Sequence, residues 1–286
     1  MTALPLALAP SAFASAFAPE TGGSPAANHI STLYNITLII AIIVFLGVEG
    51  AIIYCLVRFR ARKGHEARQI HGNTKLEIGW TAGAAIVMVA IAIATFVDLS
   101  SVRDPVNSGP DGLNLSNGSQ YVATGALKPP NGRALTIQVN GIQYIWRYTY
   151  LGFSSNPDGL GDPYAYYQMV VPTNTTVILH VVSQDVIHEW WIPQLGPKVQ
   201  AVPGYTNYTW FKISKPGNYK GQCSFLCGRG HARMIAEVTA VSPQKFTQWI
   251  TQQKAYLKAA DIQAEACRKE LAKGQGAASV EFTKNC

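Results

Sequence analysis

Four residues in one short stretch carry a recognisable chemistry. In QCSFLCGRGHARM, Cys223, Cys227, His231 and Met234 give the spacing C-x3-C-x3-H-x2-M. Thiolate, imidazole and thioether together form a soft ligand set that suits copper better than magnesium or calcium. Two other readings stand beside it. Cys223 and Cys227 could form a disulfide, leaving His231 and Met234 as bystanders. Zinc is the other, although methionine is a poor zinc ligand and no further cysteine pair lies nearby. A mononuclear blue-copper site uses a single thiolate, so two cysteines four positions apart suggest sulfurs bridging two metal ions. That arrangement needs a second histidine. His188, in SQDVIHEWWIP, follows the strand-like run TTVILHVVS after a turn and is the natural candidate. His180 lies inside that run and reads as a packed or partly exposed strand residue.

The elements that must position these residues fall into two parts. From Ala134 onward, short runs rich in β-branched and aromatic residues recur between turn signals: ALTIQVNG, IQYIWRYTYLG, AYYQMVVPTN, TTVILHVVS, YTNYTWFKI, GNYKGQC and MIAEVTAV. Such spacing predicts an all-β sandwich or barrel. Upstream are two apolar runs, from about Leu33 to Val57 and from about Leu76 to Val97, each long enough to cross a hydrocarbon core of roughly 30 Å as a helix. They predict a transmembrane helical hairpin over 33–98, with Trp80 as an interfacial anchor. The segment joining them, RFRARKGHEARQIHGNTK, is basic, which places it in the cytoplasm and both chain ends outside.

The remaining segments are read more simply. Residues 1–32 form an N-terminal segment whose small residues around Ala14 to Ala18 resemble a signal-peptide cleavage region, though it lacks a positive start; a signal remnant and an ordinary tail are both open. Residues 99–133 read as a loop, 134–248 as the β domain, and 249–286 as a C-terminal tail, helix-prone between about Gln244 and Lys273. Cys267 and Cys286, on an oxidising side of the membrane, are expected to pair.

Composition agrees with this division. Of the 286 residues 48% are hydrophobic and only 14% charged, too oily for a simple soluble enzyme. The formal net charge of +7 is concentrated partly in Arg58, Arg60, Arg62, Lys63, Arg68 and Lys75, between the apolar runs. No basic stripe interleaved with aromatics appears, which argues against nucleic-acid binding. Five cysteines are too few for a disulfide scaffold of this size.

The conjunction of NTKLEIGWT, GIQYIWRYTY, VVPTNTTVILHVVSQDVIHEWWIPQLGPKVQAVPG and the GQCSFLCG…H..M loop resembles subunit II of haem-copper cytochrome c oxidases. The resemblance covers the chain from the first apolar run to about Ile250. It implies that the β domain is cupredoxin-like and carries two copper ions in a dinuclear copper A centre. One copper would be held by His188 and Met234, the other by His231 and the backbone carbonyl of Phe225, with Cys223 and Cys227 bridging both. It further implies a place in the cell inner membrane with the copper domain on the periplasmic side. The implied partners are oxidase subunit I, subunit III, and a periplasmic electron donor, either a cytochrome c or a blue-copper protein. Glu77 matches the glutamate the family uses at the mouth of a proton-uptake channel; as a plain residue, it is a carboxylate favoured at a helix start by the macrodipole.

Several positions depart from the family pattern. Where the family commonly has glutamate, a magnesium ligand through its side chain, this sequence has Phe225. Gln200 and Tyr205 stand where aspartate and arginine are common, which puts magnesium in doubt. The electron-accepting segment, usually GHQWYW or GHQWWW, reads Gly141, Ile142, Gln143, Tyr144, Ile145, Trp146. Tyr144 takes the place of the tryptophan through which a donor passes its electron. Docking and packing both fit Tyr144, while Trp146 is read first as a strand aromatic filling the sandwich. Glu49, inside the first apolar run, is expected to be neutral or paired against a neighbouring subunit, and Cys55 to be an apolar packing residue.

These features point to the electron-accepting subunit of a terminal oxidase. A quinol oxidase subunit II typically lacks the copper ligands, whereas all five side chains stand here. A tethered copper carrier or chaperone is the alternative of another class, disfavoured by the hairpin and Glu77. Nitrous oxide reductase has a similar copper loop but would not bring the two helices, and the absence of C-x-x-C-H excludes a fused cytochrome c domain.

Overall fold

The computed structural model describes residues 19–60, 64, 69, 71–114, 127–154 and 161–272. Two long helices come first. Helix α1 (Pro25–Arg58) starts with proline in its first turn, a position where the missing N–H costs nothing. Its 34 residues span about 51 Å at 1.5 Å per residue, well beyond a hydrocarbon core of roughly 30 Å. The surplus at the N-terminal end explains why the helix begins eight residues before the apolar run at Leu33. Helix α2 (Thr74–Arg103) is capped by Asn73, whose Oδ1 accepts the Leu76 N–H at 3.2 Å. It also runs past the apolar segment, into the stretch read from sequence as loop. Both helices are long and apolar enough to cross a membrane.

The strands follow as β1 (Leu135–Ile142), β2 (Ile145–Tyr150), β3 (Tyr164–Tyr166), β4 (Gln168–Pro172), β5 (Thr176–Ser183), β6 (His188–Trp190), β7 (Val199–Ala201), β8 (Asn207–Lys212), β9 (Gly217–Gln222) and β10 (Ile235–Val241). They form a five-stranded sheet in the order β3-β2-β1-β5-β8, a three-stranded sheet β4-β10-β9, and the pair β6-β7. β1 pairs parallel with β5, as β10 does with β4; the other pairings are antiparallel. Each run singled out in the sequence contributes a strand, whereas β6 and β7, three residues each, are too short to show a period of two. The sheets enclose Ile137, Val139, Trp146, Tyr148, Leu179, Met169, Val171, Phe211 and Val238. This is an all-β sandwich behind two apolar helices.

Helix α3 (Pro243–Ala272) closes the described chain. Its first turns belong to the β core, because Phe246 is fully buried and packs with Trp249 against Tyr150. A boundary at 248 therefore cuts a continuous helix. Cys267 is disulfide-bonded, and Cys286, expected as its partner, lies outside the described residues.

The β domain sits on the outer ends of both long helices. Trp210 of β8 donates its indole N–H to the Val102 carbonyl at 3.0 Å, and the Lys212 N–H reaches Ser24 Oγ at 3.3 Å. Ala26 and Ala27 are buried there, and His29 Nδ1 meets Asp98 Oδ1 at 2.9 Å across the two helices. Further in, residues 41–58 of α1 and 74–86 of α2 are exposed throughout. Cys55, expected to be packed, is exposed for that reason.

Candidate metal centre

Three ligand-bearing loops meet at one end of the sandwich. His188 opens β6 and is wholly buried. Cys223 follows β9, Cys227 lies four residues on, and the short 3-10 turn His231–Arg233 delivers His231 and then Met234 ahead of β10. The ligand atoms of His188, Cys223 and Cys227 lie within 4.8 Å of one another. The sulfurs of Cys223 and Cys227 are 3.8 Å apart. A disulfide needs about 2.05 Å, so that reading fails and both cysteines are free thiols. Cys227 Sγ lies 3.7 Å from His231 Nδ1 and 3.9 Å from Met234 Sδ, while Cys223 Sγ lies 3.3 Å from the Phe225 carbonyl oxygen. The six sequence-chosen positions are thus gathered in one place.

Two details show that a soft metal fits here. His188 Nδ1 is buried and makes no hydrogen bond, an expensive state for a ring nitrogen unless it has a ligand to give its lone pair to. The other nitrogen, Nε2, is held 2.8 Å from Asp185 Oδ1, which fixes the ring and leaves Nδ1 aimed inward. Electrostatics favours a thiolate at Cys223. Burial opposes it, but polar contacts with His188, with the backbone at Glu189 and Phe225, and with His231 bring the thiol down to about 6. Cys227 goes the other way: burial, then the charge on Cys223, pushes it up to about 11. Burial also opposes an imidazolium at His188, yet Cys223 and Asp185 together raise its pKa, while Asp185 is lowered, its own partial burial outweighed by His188 and the N–H groups of Gln143 and Val186.

Asp185, which carried no sequence signal as a neighbour of the ligands, and the segment from Gly141 to Trp146 complete the centre. Asp185 Oδ2 accepts the Gln143 N–H at 2.6 Å, and Gln143 Nε2 donates to the Cys227 carbonyl at 2.7 Å. Gly141 leaves room for the His188 ring, since a Cβ there would come 2.8 Å from its Cδ2. Tyr144 is half-buried and lies flat on the copper loop: a Cβ on Gly230 would fall 2.3 Å from the tyrosine ring, and one on Gly228 2.5 Å from its hydroxyl. Trp146 is fully buried with its ring centroid 5.8 Å from that of His188. His180 stays on β5, edge-on to Tyr208 and remote in register from the ligand loops.

The departures from the family pattern lie on the surface around this end. Phe225 is 42% exposed, Leu226 77% and Tyr205 63%, so this part of the surface is apolar, while Arg229 and Arg233 are exposed further along the loop. Gln200 sits across from Glu189 in the β6-β7 pair. Asp162, one of the few acids of the domain, is withdrawn from the surface: 3% exposed, it accepts the N–H groups of Gly152, Phe153 and Ser154. Glu77 is exposed in the first turn of α2, where its Oε1 accepts the Asn73 N–H at 3.4 Å.

An apolar helical hairpin carrying a β-sandwich with a Cys-Cys-His-His-Met cluster, buried but for the half-buried His231, defines a membrane-anchored copper-binding electron-transfer subunit. Residues 164–241 match the family model for the periplasmic domain of cytochrome c oxidase subunit II, and residues 13–97 match that for its transmembrane domain. The probable cytochrome c oxidase subunit 2 of Rickettsia bellii is 30% identical over 240 residues, covering 79% of this chain and 80% of the relative. The chain belongs to the cytochrome c oxidase subunit II family. Cytochrome c oxidase subunit 2 of Alkalihalophilus pseudofirmus is 29% identical over 230 residues; the match covers 79% of this chain and 59% of that longer relative. The crystal structure of the periplasmic domain of subunit II from Bradyrhizobium japonicum is 35% identical over 43% of this chain and 95% of that domain, with a TM-score of 0.39.

Proposed function

We propose that this chain is the electron-accepting subunit of a respiratory terminal oxidase, taking electrons from a periplasmic donor and relaying them to a haem-copper catalytic subunit that reduces oxygen to water. In this reading His188, Cys223, Cys227, His231, Met234 and the Phe225 carbonyl would together hold two copper ions, the two thiolates being shared between them. When bound, such a pair accepts and releases one electron. The chain supplies rigidity: β6, the end of β9 and the turn before β10 fix the ligands from three directions, so little has to move when the charge changes. It also excludes water, since His188, Cys223, Cys227 and Met234 are each at most 5% exposed. A closed shell of side chains suits a relay better than a substrate site, which keeps an open position.

Tyr144 is the proposed surface contact for the donor, with Trp146 behind it, because Tyr144 bridges the domain surface and the backbone of the copper loop. Glu77, on the basic side of the hairpin, is the proposed carboxylate at the mouth of a proton path. The basic connection between the helices supports an inner-membrane orientation with the copper domain in the periplasm. Subunits I and III are the proposed membrane partners. Magnesium forms no part of the proposal, since Phe225 offers no side-chain oxygen.

The observation that carries the reading is the unpartnered, buried His188 Nδ1 facing two free thiols 3.8 Å apart. Metal analysis and electron paramagnetic resonance on the complex purified from membranes test it. Two coppers per chain with one electron shared between them are expected, together with co-purifying haem subunits. One copper, or zinc, would reject the dinuclear centre. The donor follows from charge: between Leu99 and Gln248 eleven basic residues face seven acidic ones, and Asp162 is buried. A basic cytochrome c is therefore repelled rather than steered. A neutral cytochrome, or a small blue-copper protein docking through apolar contacts, should reduce the centre at a rate that falls little with salt, whereas an acidic cytochrome should be steered onto the domain and slow as salt is added. A steep fall with salt, using a basic cytochrome c, would reveal an acidic docking patch and overturn this choice.

A further inference from the structure

Glu189 follows His188 on β6, and successive residues on a strand face opposite sides. His188 turns inward and is fully buried; Glu189 turns to the other side and is half-buried. Its carboxylate Oε2 accepts the Ser224 hydroxyl at 2.6 Å, and its backbone carbonyl accepts the Ser224 N–H at 3.0 Å. Just before Ser224, the Gln222 N–H reaches the Trp191 carbonyl at 3.1 Å and the Cys223 N–H reaches the Met234 carbonyl at 2.9 Å. The start of the copper loop is thus tied to β6 and the residue that follows it by two backbone hydrogen bonds, at Gln222 and Ser224. On its other edge β6 pairs with β7, Glu189 opposite Gln200. Ser224 is the residue between Cys223 and Phe225. Whatever fixes it fixes both a thiol and the carbonyl that stands 3.3 Å from that thiol. Among the described residues no basic side chain forms an ion pair with Glu189, so the carboxylate is spent on this turn.

We propose that Glu189 is a positioning residue for the copper loop, gripping Ser224 by side chain and backbone so that Cys223 and the Phe225 carbonyl are in place before metal arrives. The backbone bond alone would leave the turn free to pivot about Ser224. The hydroxyl–carboxylate bond is short and charge-assisted, the stronger class of hydrogen bond, and it removes that pivot. The proposal rests on the copper reading for its consequence, but the grip itself exists without metal.

The test uses the full complex carrying Glu189→Ala, Ser224→Ala or Glu189→Gln. Metal-stripped samples are probed by the rate of Cys223 alkylation, and copper-loaded samples by the rate of copper loss to a chelator and by hyperfine pattern. Glu189→Ala and Ser224→Ala should both speed alkylation and speed copper loss about tenfold or more, the factor for one charge-assisted bond. Glu189→Gln keeps an acceptor for the hydroxyl and should stay within about threefold of the parent, well inside that factor. Unchanged alkylation in Glu189→Ala and Ser224→Ala overturns the proposal, as does Glu189→Gln behaving like Glu189→Ala. A parent complex that holds no copper rejects the copper reading instead, and the alkylation rates still decide the grip.

Discussion

The copper end of the β domain and the inner half of the helical hairpin are opposite solutions to placing polar groups in an apolar setting. At the copper end a run of hydrogen bonds ties the residues behind the ligands together: Asp185 holds His188 and Gln143, Gln143 holds Cys227, and Glu189 holds Ser224. His188 Nδ1 is left without a hydrogen-bond partner and faces the thiols, and the indole nitrogen of the neighbouring Trp146 has none either. The hairpin shows the reverse. Its outer ends are tied to β8 by Trp210 and Lys212, but the inner halves, including Glu49, are exposed over residues 41–58 and 74–86. A carboxylate that deep in lipid is costly and normally faces protein. The first region is complete within one chain; the second is complete only in a larger membrane assembly.

Removing a bridging thiolate attacks the self-contained region most severely. Cys223→Ser should abolish the shared-electron signal and lower copper below two per chain, because a hydroxyl is no substitute for a soft bridge; resonance spectra with metal analysis check this. Met234→Leu should be milder, keeping both coppers while shifting the potential measured by redox titration.

The hairpin is tested next. Glu77→Gln should slow steady-state oxygen consumption while leaving stopped-flow reduction of copper by the donor unchanged, and the opposite pattern would remove Glu77 from the proton path. Glu49→Arg should prevent co-purification of the haem subunits, whereas Glu49→Gln, which keeps hydrogen bonding without charge, should allow it.

Smaller effects are expected where packing alone is disturbed. Gly230→Ala forces a methyl into the Tyr144 ring and should destabilise the β domain by about 1–3 kcal/mol, the usual range for overpacking, read as a lowered melting temperature. Phe225→Glu should be the mildest: copper content stays constant, and any change appears only as added divalent metal in the purified complex.

Much of this was legible in the sequence because ligand chemistry and chain periodicity are local properties. C-x3-C-x3-H-x2-M names its metal by softness, apolar runs of more than twenty residues name a membrane, and β-branched runs between turns name a sandwich. His188 could be chosen because a turn follows TTVILHVVS, although β6 itself is too short to announce a strand. What only the tertiary structure decided is how distant segments meet. No pattern in the sequence says that Gln143 and Cys227, 84 positions apart, share a hydrogen bond, that Glu189 closes on Ser224, or that Gly228 and Gly230 are bare so that Tyr144 can lie on them. Nor does it say that α1 and α2 outlast their apolar cores in order to dock on β8. Such contacts depend on sheet order and register, which are set by the packing of the whole core rather than by neighbours along the chain.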